Sequence, residues 1–159
     1  MRLVYALGGE PRVIALEGMP LCAQSRLFRQ AAVLLGMHGS GLINSMFMTK
    51  GAALVQVVPW KLAGAEQFFK GIAERRGVRY FEVHTVSRDA VIAHGHFLKE
   101  PEKVEEILKK GSECCGQQTY FSFWVNQDVV VDLVEVEAAL RKALGLKPSK
   151  SKVPKLGVR

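Results

Sequence analysis

Short, nearly uninterrupted apolar runs alternate along this chain with longer segments of helical period. The runs at 13–16 (VIAL), Val33–Met37, 52–58 (AALVQVV) and 78–83 read as strands. Strands that are apolar at successive positions belong to parallel sheets covered on both faces. Val33–Met37 accordingly reads as a central strand, buried on both sides. Pro20 sits near the first turn of a helix over 21–32, where Leu27, Ala31 and Leu34 recur at helical spacing and Arg26 and Arg29 face water. A loop at 38–41 leads into a short helix at 42–48. The segment 64–76 is amphipathic, with Phe68, Phe69, Ile72 and Ala73 on one side, and Gly77 closes it.

Strand, helix, strand, helix, strand is the order of an α/β fold, a parallel sheet flanked by helices. Beyond it, 84–100 has little pattern and Pro101–Lys110 reads as a charged, exposed helix. Residues 120–125 and 129–131 are rich in strand formers. Asp132 with Glu135 three residues on resembles a capping box for a last helix, Leu133–Leu144, stopped by Gly145. The pattern predicts one domain over 1–145 and a disordered basic tail over 146–159.

The tail changes how the charge is read. Of 159 residues, 22 are Lys or Arg and 15 are Asp or Glu, a formal net charge of +7. Residues 141–159 hold seven of the basic residues and no acid, so 1–140 is neutral. A basic nucleic-acid-binding face on the body thereby loses its support. The tail itself reads either as a solubilising end or as a contact for anionic lipid or an acidic partner. No apolar run approaches the roughly 18–20 residues that span a bilayer. The first nine residues lack the pattern of a signal peptide. Three cysteines, Cys22, Cys114 and Cys115, form neither a disulfide framework nor a zinc pattern. They read as free thiols, or as one pair involving Cys22 in an oxidising compartment.

Chemistry concentrates at Gly36-Met37-His38-Gly39-Ser40-Gly41-Leu42-Ile43-Asn44. Three glycines relax the limits on φ and ψ and let backbone approach a ligand. The start of a helix offers unpaired N–H groups and the positive end of a dipole to a phosphate. In open parallel sheets ligands sit beyond the carboxyl ends of the strands, where this loop lies. No Lys follows, as a Walker A loop needs, and the order G-x-x-G-x-G departs from the dinucleotide fingerprint. His38 and Ser40 suit hydrogen bonding to a diphosphate or a sugar. The alternative is a tight strand-to-helix turn with no ligand.

Further motifs surround this segment. Leu16-Glu17-Gly18-Met19-Pro20 precedes it, and Gly51-Ala52-Ala53-Leu54-Val55-Gln56-Val57-Val58-Pro59 follows. Together they resemble glycosyltransferase family 61, whose hallmark reads roughly H-G-A-G-L-T-N, an apolar helix, P-x-G-A, a buried strand and E-x-x-P. The resemblance is clear over 13–83 and fainter over 127–144. It implies a Rossmann-like parallel sheet flanked by helices, the C-terminal half of a GT-B glycosyltransferase. The activity implied is transfer of a sugar of the N-acetylglucosamine, xylose or arabinose class. The donor is a UDP-sugar and the acceptor a protein or glycan hydroxyl. A missing N-terminal half is expected to supply the acceptor site and the catalytic base, which is unassigned in this chain. No metal ligand or other cofactor is expected, in line with the lack of a D-x-D motif. The resemblance also implies the secretory-pathway lumen, Golgi or endoplasmic reticulum. The competing reading is a non-catalytic nucleotide-sugar-binding fragment or degenerate remnant.

Carried over by position, His38, Gly39, Ser40, Gly41 and Leu42 form the expected diphosphate loop. Asn44 orients the loop or touches the ligand. Glu17 and Met19 lie where they meet the uracil or ribose. Ser40 stands in place of the usual Ala, Ile43 of Thr, and Gln56 of Glu. Gln keeps hydrogen-bonding capacity but not the charge. Each also has a structural reading: His38 bonding the loop backbone, Asn44 starting the helix, Glu17 solvated.

Trp60, just after Pro59, is a candidate for stacking on a base or sugar. His94 and His96 have the spacing of two metal ligands, without a third. His84, Arg75 and Arg76 read as surface residues, and Arg79 as a surface residue or a phosphate contact. Tyr120, Phe121, Phe123 and Trp124 read as packing or as a sugar platform.

Overall fold

The run at 52–58 becomes strand β2 (Ala53–Val58), in which every residue is buried. It lies between β1 (Val33–Met37) and β3 (Arg79–His84) in a three-stranded parallel sheet. Val33 is paired with Ala53, and Ala53 with Arg79, so the three strands run in step to one carboxyl edge. This computed structural model describes residues 2–60, 62, 66–93, 95–110, 122–123 and 128–148.

Alternation along the strands sorts side chains onto two faces. Leu34, Leu54 and Tyr80 point to one face, which is covered by α2 (Leu21–Gln30), a 3-10 helix over Ser40–Phe47 and α3 (Glu66–Arg75). Phe28, Leu42, Met48, Phe69 and Ala73 fill this layer. Val33, Ala53, Val55, Phe81 and Val83 point to the other face. There α1 (Arg2–Ala6) and α5 (Leu133–Leu144, after α4 at Pro101–Lys110) cover them, through Leu3, Val4, Val136, Ala139, Leu140 and Ala143. A third cluster of Phe97, Ile107, Leu108 and Phe123 joins α4 to the segment after β3. Beside it, β4 (Val91–Ile92) pairs antiparallel with β5 (Asp128–Val129). The result is a Rossmann-like α/β fold.

Several helix boundaries follow from local chemistry. Asp132 caps α5, its carboxylate accepting from the Val134 N–H at 2.8 Å. Gly145 ends α5 at φ 68°, and Gly77 ends the turn after α3 at φ 69°. In both, the next residue's N–H bonds back five positions: Leu146 to Arg141 and Val78 to Ala73. These are Schellman turns, which require a left-handed residue that glycine adopts without strain.

Some expectations are corrected. Residues 13–16 form no strand, and Val13 is 84% exposed. Their apolar character serves one anchor, since Leu16 packs against the first core layer. β1 is not central but an edge of the described sheet, and Leu35 is 40% exposed. α5 packs chiefly on β2 and β3. The helix after β1 starts at Ser40 and is 3-10 in type. At three residues per turn, Leu42, Ser45 and Met48 fall on one buried stripe, while Ile43 and Met46 stay exposed. Phe68, grouped with Phe69 by periodicity, is 62% exposed. The patternless 84–100 segment contains two short 3-10 turns and β4. Of 120–125, Ser122 and Phe123 are described and are helical, Phe123 being held edge-on to Phe97 at 5.1 Å. Tyr120, Phe121, Trp124, His94, Cys114, Cys115 and residues 149–159 lie outside the described residues.

The two phenylalanines of α3 separate burial from periodicity. Phe69→Ala is expected to cost about 3–5 kcal/mol. Phe68→Ala is expected to cost no more than about 1 kcal/mol. Urea midpoints at constant slope measure both.

Candidate functional site

At the carboxyl edge the β1–β2 ladder extends by one bond, from the His38 N–H to the Val57 carbonyl at 2.8 Å. The chain then turns into the 3-10 helix with Gly39 as its N-cap. The Leu42 N–H reaches the Gly39 carbonyl at 3.0 Å. Ser40 and Gly41 precede the first hydrogen-bonded turn, so their N–H groups have no acceptor within the helix. Asn44, 3% exposed, donates through Nδ2 to the Gly41 carbonyl at 3.0 Å and closes the turn from below. Ser40 and Gly41 themselves are exposed.

The glycines divide by role. A Cβ on Gly36 would meet Leu42 Cδ2 at 2.8 Å, so Gly36 is needed for the helix to pack on β1. Gly39 is extended, at φ 170° and ψ 167°, a conformation open to any residue. A Cβ there would find its nearest neighbour at 3.8 Å. The expectation that these glycines relax φ and ψ is therefore corrected: none of Gly36, Gly39 and Gly41 is left-handed. Neither Gly39 nor Gly41 is sterically required, since a Cβ at either would meet its nearest neighbour at ordinary contact distance.

Behind the loop lies a polar line across all three strands. Gln56, 0% exposed, bonds His38 Nδ1 through Nε2 at 2.7 Å. Its Oε1 accepts from the Tyr80 hydroxyl at 3.0 Å. A fully buried amide needs such partners at both ends. The half-buried His38 ring meets Phe69 of α3 edge-on at 5.2 Å. Burial lowers the His38 pKa below 6.5, opposed by the negative charge of Glu66. Burial, then the charge and hydrogen bond of Glu82, then Glu66 and Glu74, raise the Tyr80 pKa and keep the phenol protonated.

The turn before α2 adjoins this loop. The Met19 N–H bonds the Leu16 carbonyl at 3.0 Å across Gly18, whose φ is 72°. Gln24 donates through Nε2 to the Met19 carbonyl at 2.8 Å. Leu16 Cδ1 lies 3.7 Å from where a Gly41 Cβ would stand. Glu17 at the tip is exposed and Met19 is half-buried. Trp60 follows β2 at the same edge, where its backbone N–H bonds Thr85 Oγ1 at 2.6 Å. It packs on the cluster of Phe97, Ile107, Leu108 and Phe123.

Arg79 is not at this edge. It begins β3, and its guanidinium bonds the carbonyls of Gly51, Lys142 and Ala143. It thus caps the negative end of α5, which removes it as a phosphate contact. His84 pairs with Glu82 at 3.4 Å. Cys22 is exposed and free. Among the described residues no group of three His, Cys, Asp or Glu side chains could hold a metal ion. Tyr80 escaped the sequence reading. Its signal was Gln56 itself, a polar residue in an otherwise apolar strand whose partners must lie on the neighbouring strands.

Two measurements probe this geometry. Gly36→Ala is expected to destabilise by about 1–3 kcal/mol through overpacking on Leu42, and Gly39→Ala by less than about 0.5 kcal/mol. A lowered His38 pKa means that the unfolded chain binds a proton more readily than the native one. Stability then falls as pH drops below 6.5, towards the native pKa. Urea titrations across that range should show this step, and His38→Gln should remove it.

The family model described as Glycosyltransferase 61 matches residues 3–55. That span contains Glu17, Met19 and the whole turn from His38 to Asn44. The chain is 30% identical over 138 residues to a beta-1,2-xylosyltransferase of Oryza sativa subsp. japonica, covering 82% of this chain and 23% of that protein. It is 31% identical over 143 residues to the protein O-linked-mannose beta-1,4-N-acetylglucosaminyltransferase 2 of Danio rerio, covering 79% and 25%. Over 60 residues it is 38% identical to an alpha-1,3-arabinosyltransferase of Oryza sativa subsp. japonica, covering 35% and 10%. The chain spans about a quarter of the length of the first two relatives. With a matching family segment that carries the loop, and relatives that are all sugar transferases, the chain belongs to the glycosyltransferase 61 family.

Proposed function

We propose that this chain is the donor-binding part of a GT-B glycosyltransferase and takes a UDP-sugar at the carboxyl edge of its sheet. The observation that carries the reading is the turn at His38–Gly41. It places the N–H groups of Ser40 and Gly41 before the first hydrogen-bonded turn of an exposed helix start. Such groups bind anionic oxygen directly. Glycine at 39 and 41 carries no side chain to keep a diphosphate from the backbone. Leu42 and Asn44 hold the turn from beneath. On this reading the nucleoside lies against Glu17 and Met19 of the adjoining turn, with Trp60, which follows β2 and packs on the Phe97 cluster, at the same edge.

The reaction is transfer of the sugar to a hydroxyl of a protein or glycan, in the secretory-pathway lumen. The acceptor site and the base that deprotonates the hydroxyl belong to a partner half of the enzyme. N–H donors meet the diphosphate without a bridging cation, so UDP binding should be insensitive to EDTA. Among the described residues no helix is long and apolar enough to cross a membrane. One observation favours a second reading, a nucleotide-sugar-binding module without transferase activity. Gln56 stands where the family resemblance expects a charged Glu, and it is wholly enclosed by His38 and Tyr80.

Calorimetric titration of UDP into the full chain tests the site. Binding at or below millimolar UDP is expected, and its absence refutes the donor-site reading. Gly39→Val should weaken UDP at least about tenfold while the circular dichroism and urea midpoint stay those of the parent. Unchanged affinity refutes the role of the loop. Slow hydrolysis of UDP-sugars separates a transferase from a binding module.

A further inference from the structure

Gln56 does more than satisfy itself. Its amide has a donor end and an acceptor end, and each faces a different strand. The Tyr80 hydroxyl donates to Oε1 at 3.0 Å, which leaves the NH2 end towards His38 Nδ1 at 2.7 Å. A nitrogen that receives this N–H must present its lone pair. A neutral imidazole carries one proton, so that proton sits on Nε2.

From this geometry we infer that Gln56 and Tyr80 are positioning residues, which hold His38 as the neutral Nε2–H tautomer and make it a hydrogen-bond donor at the loop. The inference rests on the diphosphate reading for what His38 donates to. His38 begins the turn that carries Ser40 and Gly41, so an Nε2–H there would add a donor for anionic oxygen to their N–H groups. The opposite tautomer would present a lone pair there and repel the same ligand.

The surroundings of His38 agree. On α3, Phe69 packs against the ring and Glu66 is the nearby charge. On β3, Tyr80 and Glu82 stand behind Gln56. Burial and the negative charge of Glu82 keep the phenol protonated. Glu82 is also an acceptor for that one proton, and the relay requires that it go instead to Gln56 Oε1, which the hydroxyl reaches at 3.0 Å. The Gln56 side chain itself is 0% exposed, so both ends of the amide must find their partners within the protein. A Glu at position 56 would reverse the line. A carboxylate only accepts, so it would draw the proton to Nδ1 and favour the charged imidazolium.

The test needs no ligand at first. Long-range proton–nitrogen correlation spectra of the full chain, labelled with nitrogen-15, report which ring nitrogen of His38 carries the proton. The parent is expected to show the proton on Nε2. Tyr80→Phe frees the amide to turn, and a mixture of tautomers is expected. In Gln56→Glu the proton should move to Nδ1, and His38 should titrate at higher pH than in the parent. UDP affinity should fall about fivefold in Tyr80→Phe, the net worth of one ordinary hydrogen bond, with the fold retained.

A parent His38 protonated on Nδ1 overturns the inference. So does an identical tautomer in the parent and Tyr80→Phe. If Gln56→Glu fails to fold, the Tyr80→Phe spectrum decides alone. If the tautomers behave as expected but the parent does not bind UDP, the relay stands and the donor-site reading fails.

Discussion

The buried amide of Gln56 is the constraint on which the rest of the sheet depends. β2 is fully enclosed, and Gln56 is the one polar side chain in it. An enclosed amide without partners costs about 1–3 kcal/mol for each end left unmet. Gln56 therefore requires a donor on one neighbouring strand and an acceptor beyond the other. Tyr80 and His38 occupy those places, and the parallel register of β1, β2 and β3 brings them there. One slip of register would turn Tyr80 to the opposite face. The same bonds that satisfy the core thus fix the ring that faces the loop.

The loop inherits its shape from packing rather than from backbone permissiveness. Gly36 lets Leu42 press onto β1, and Leu42, Ser45 and Met48 then form the buried stripe of a 3-10 helix. That packing sets where the helix begins, and so where Ser40 and Gly41 present their N–H groups. Asn44 completes the turn by holding the Gly41 carbonyl. The Leu16–Met19 turn closes on the other side, anchored by Leu16 in the core and by Gln24 on its backbone. The remainder of the domain holds this edge steady. Arg79 does its part at the far end, tying the start of β3 to the last carbonyls of α5.

Much of this was legible in the residues. The uninterrupted run at 53–58 could only be a strand covered on both faces. The Schellman glycines, Gly77 and Gly145, and the Asp132 cap marked helix ends because their chemistry is local. The loop from Gly36 to Asn44 declared itself by composition and order. Less legible was anything that depends on lateral position. The runs at Val33–Met37 and 53–58 look alike, yet among the described residues one is an edge strand and the other is paired on both sides, which only the pairing of distant segments decides. Phe68 and Phe69 share a periodic face, yet only Phe69 meets the sheet. Val13 to Leu16 look like a strand but have no ladder to join.

By itself the sequence determined the α/β class, the three segments that form the parallel strands and the glycine-rich turn from His38 to Asn44. Those features follow from residue spacing and from the preferences of glycine, proline and aspartate over a few positions. Tertiary structure alone decided which strand is central, which glycine is sterically required, and that Arg79 serves a helix end. It also decided the line from Tyr80 through Gln56 to His38. These three lie far apart along the chain, and only the register of a folded sheet sets them at hydrogen-bond distance.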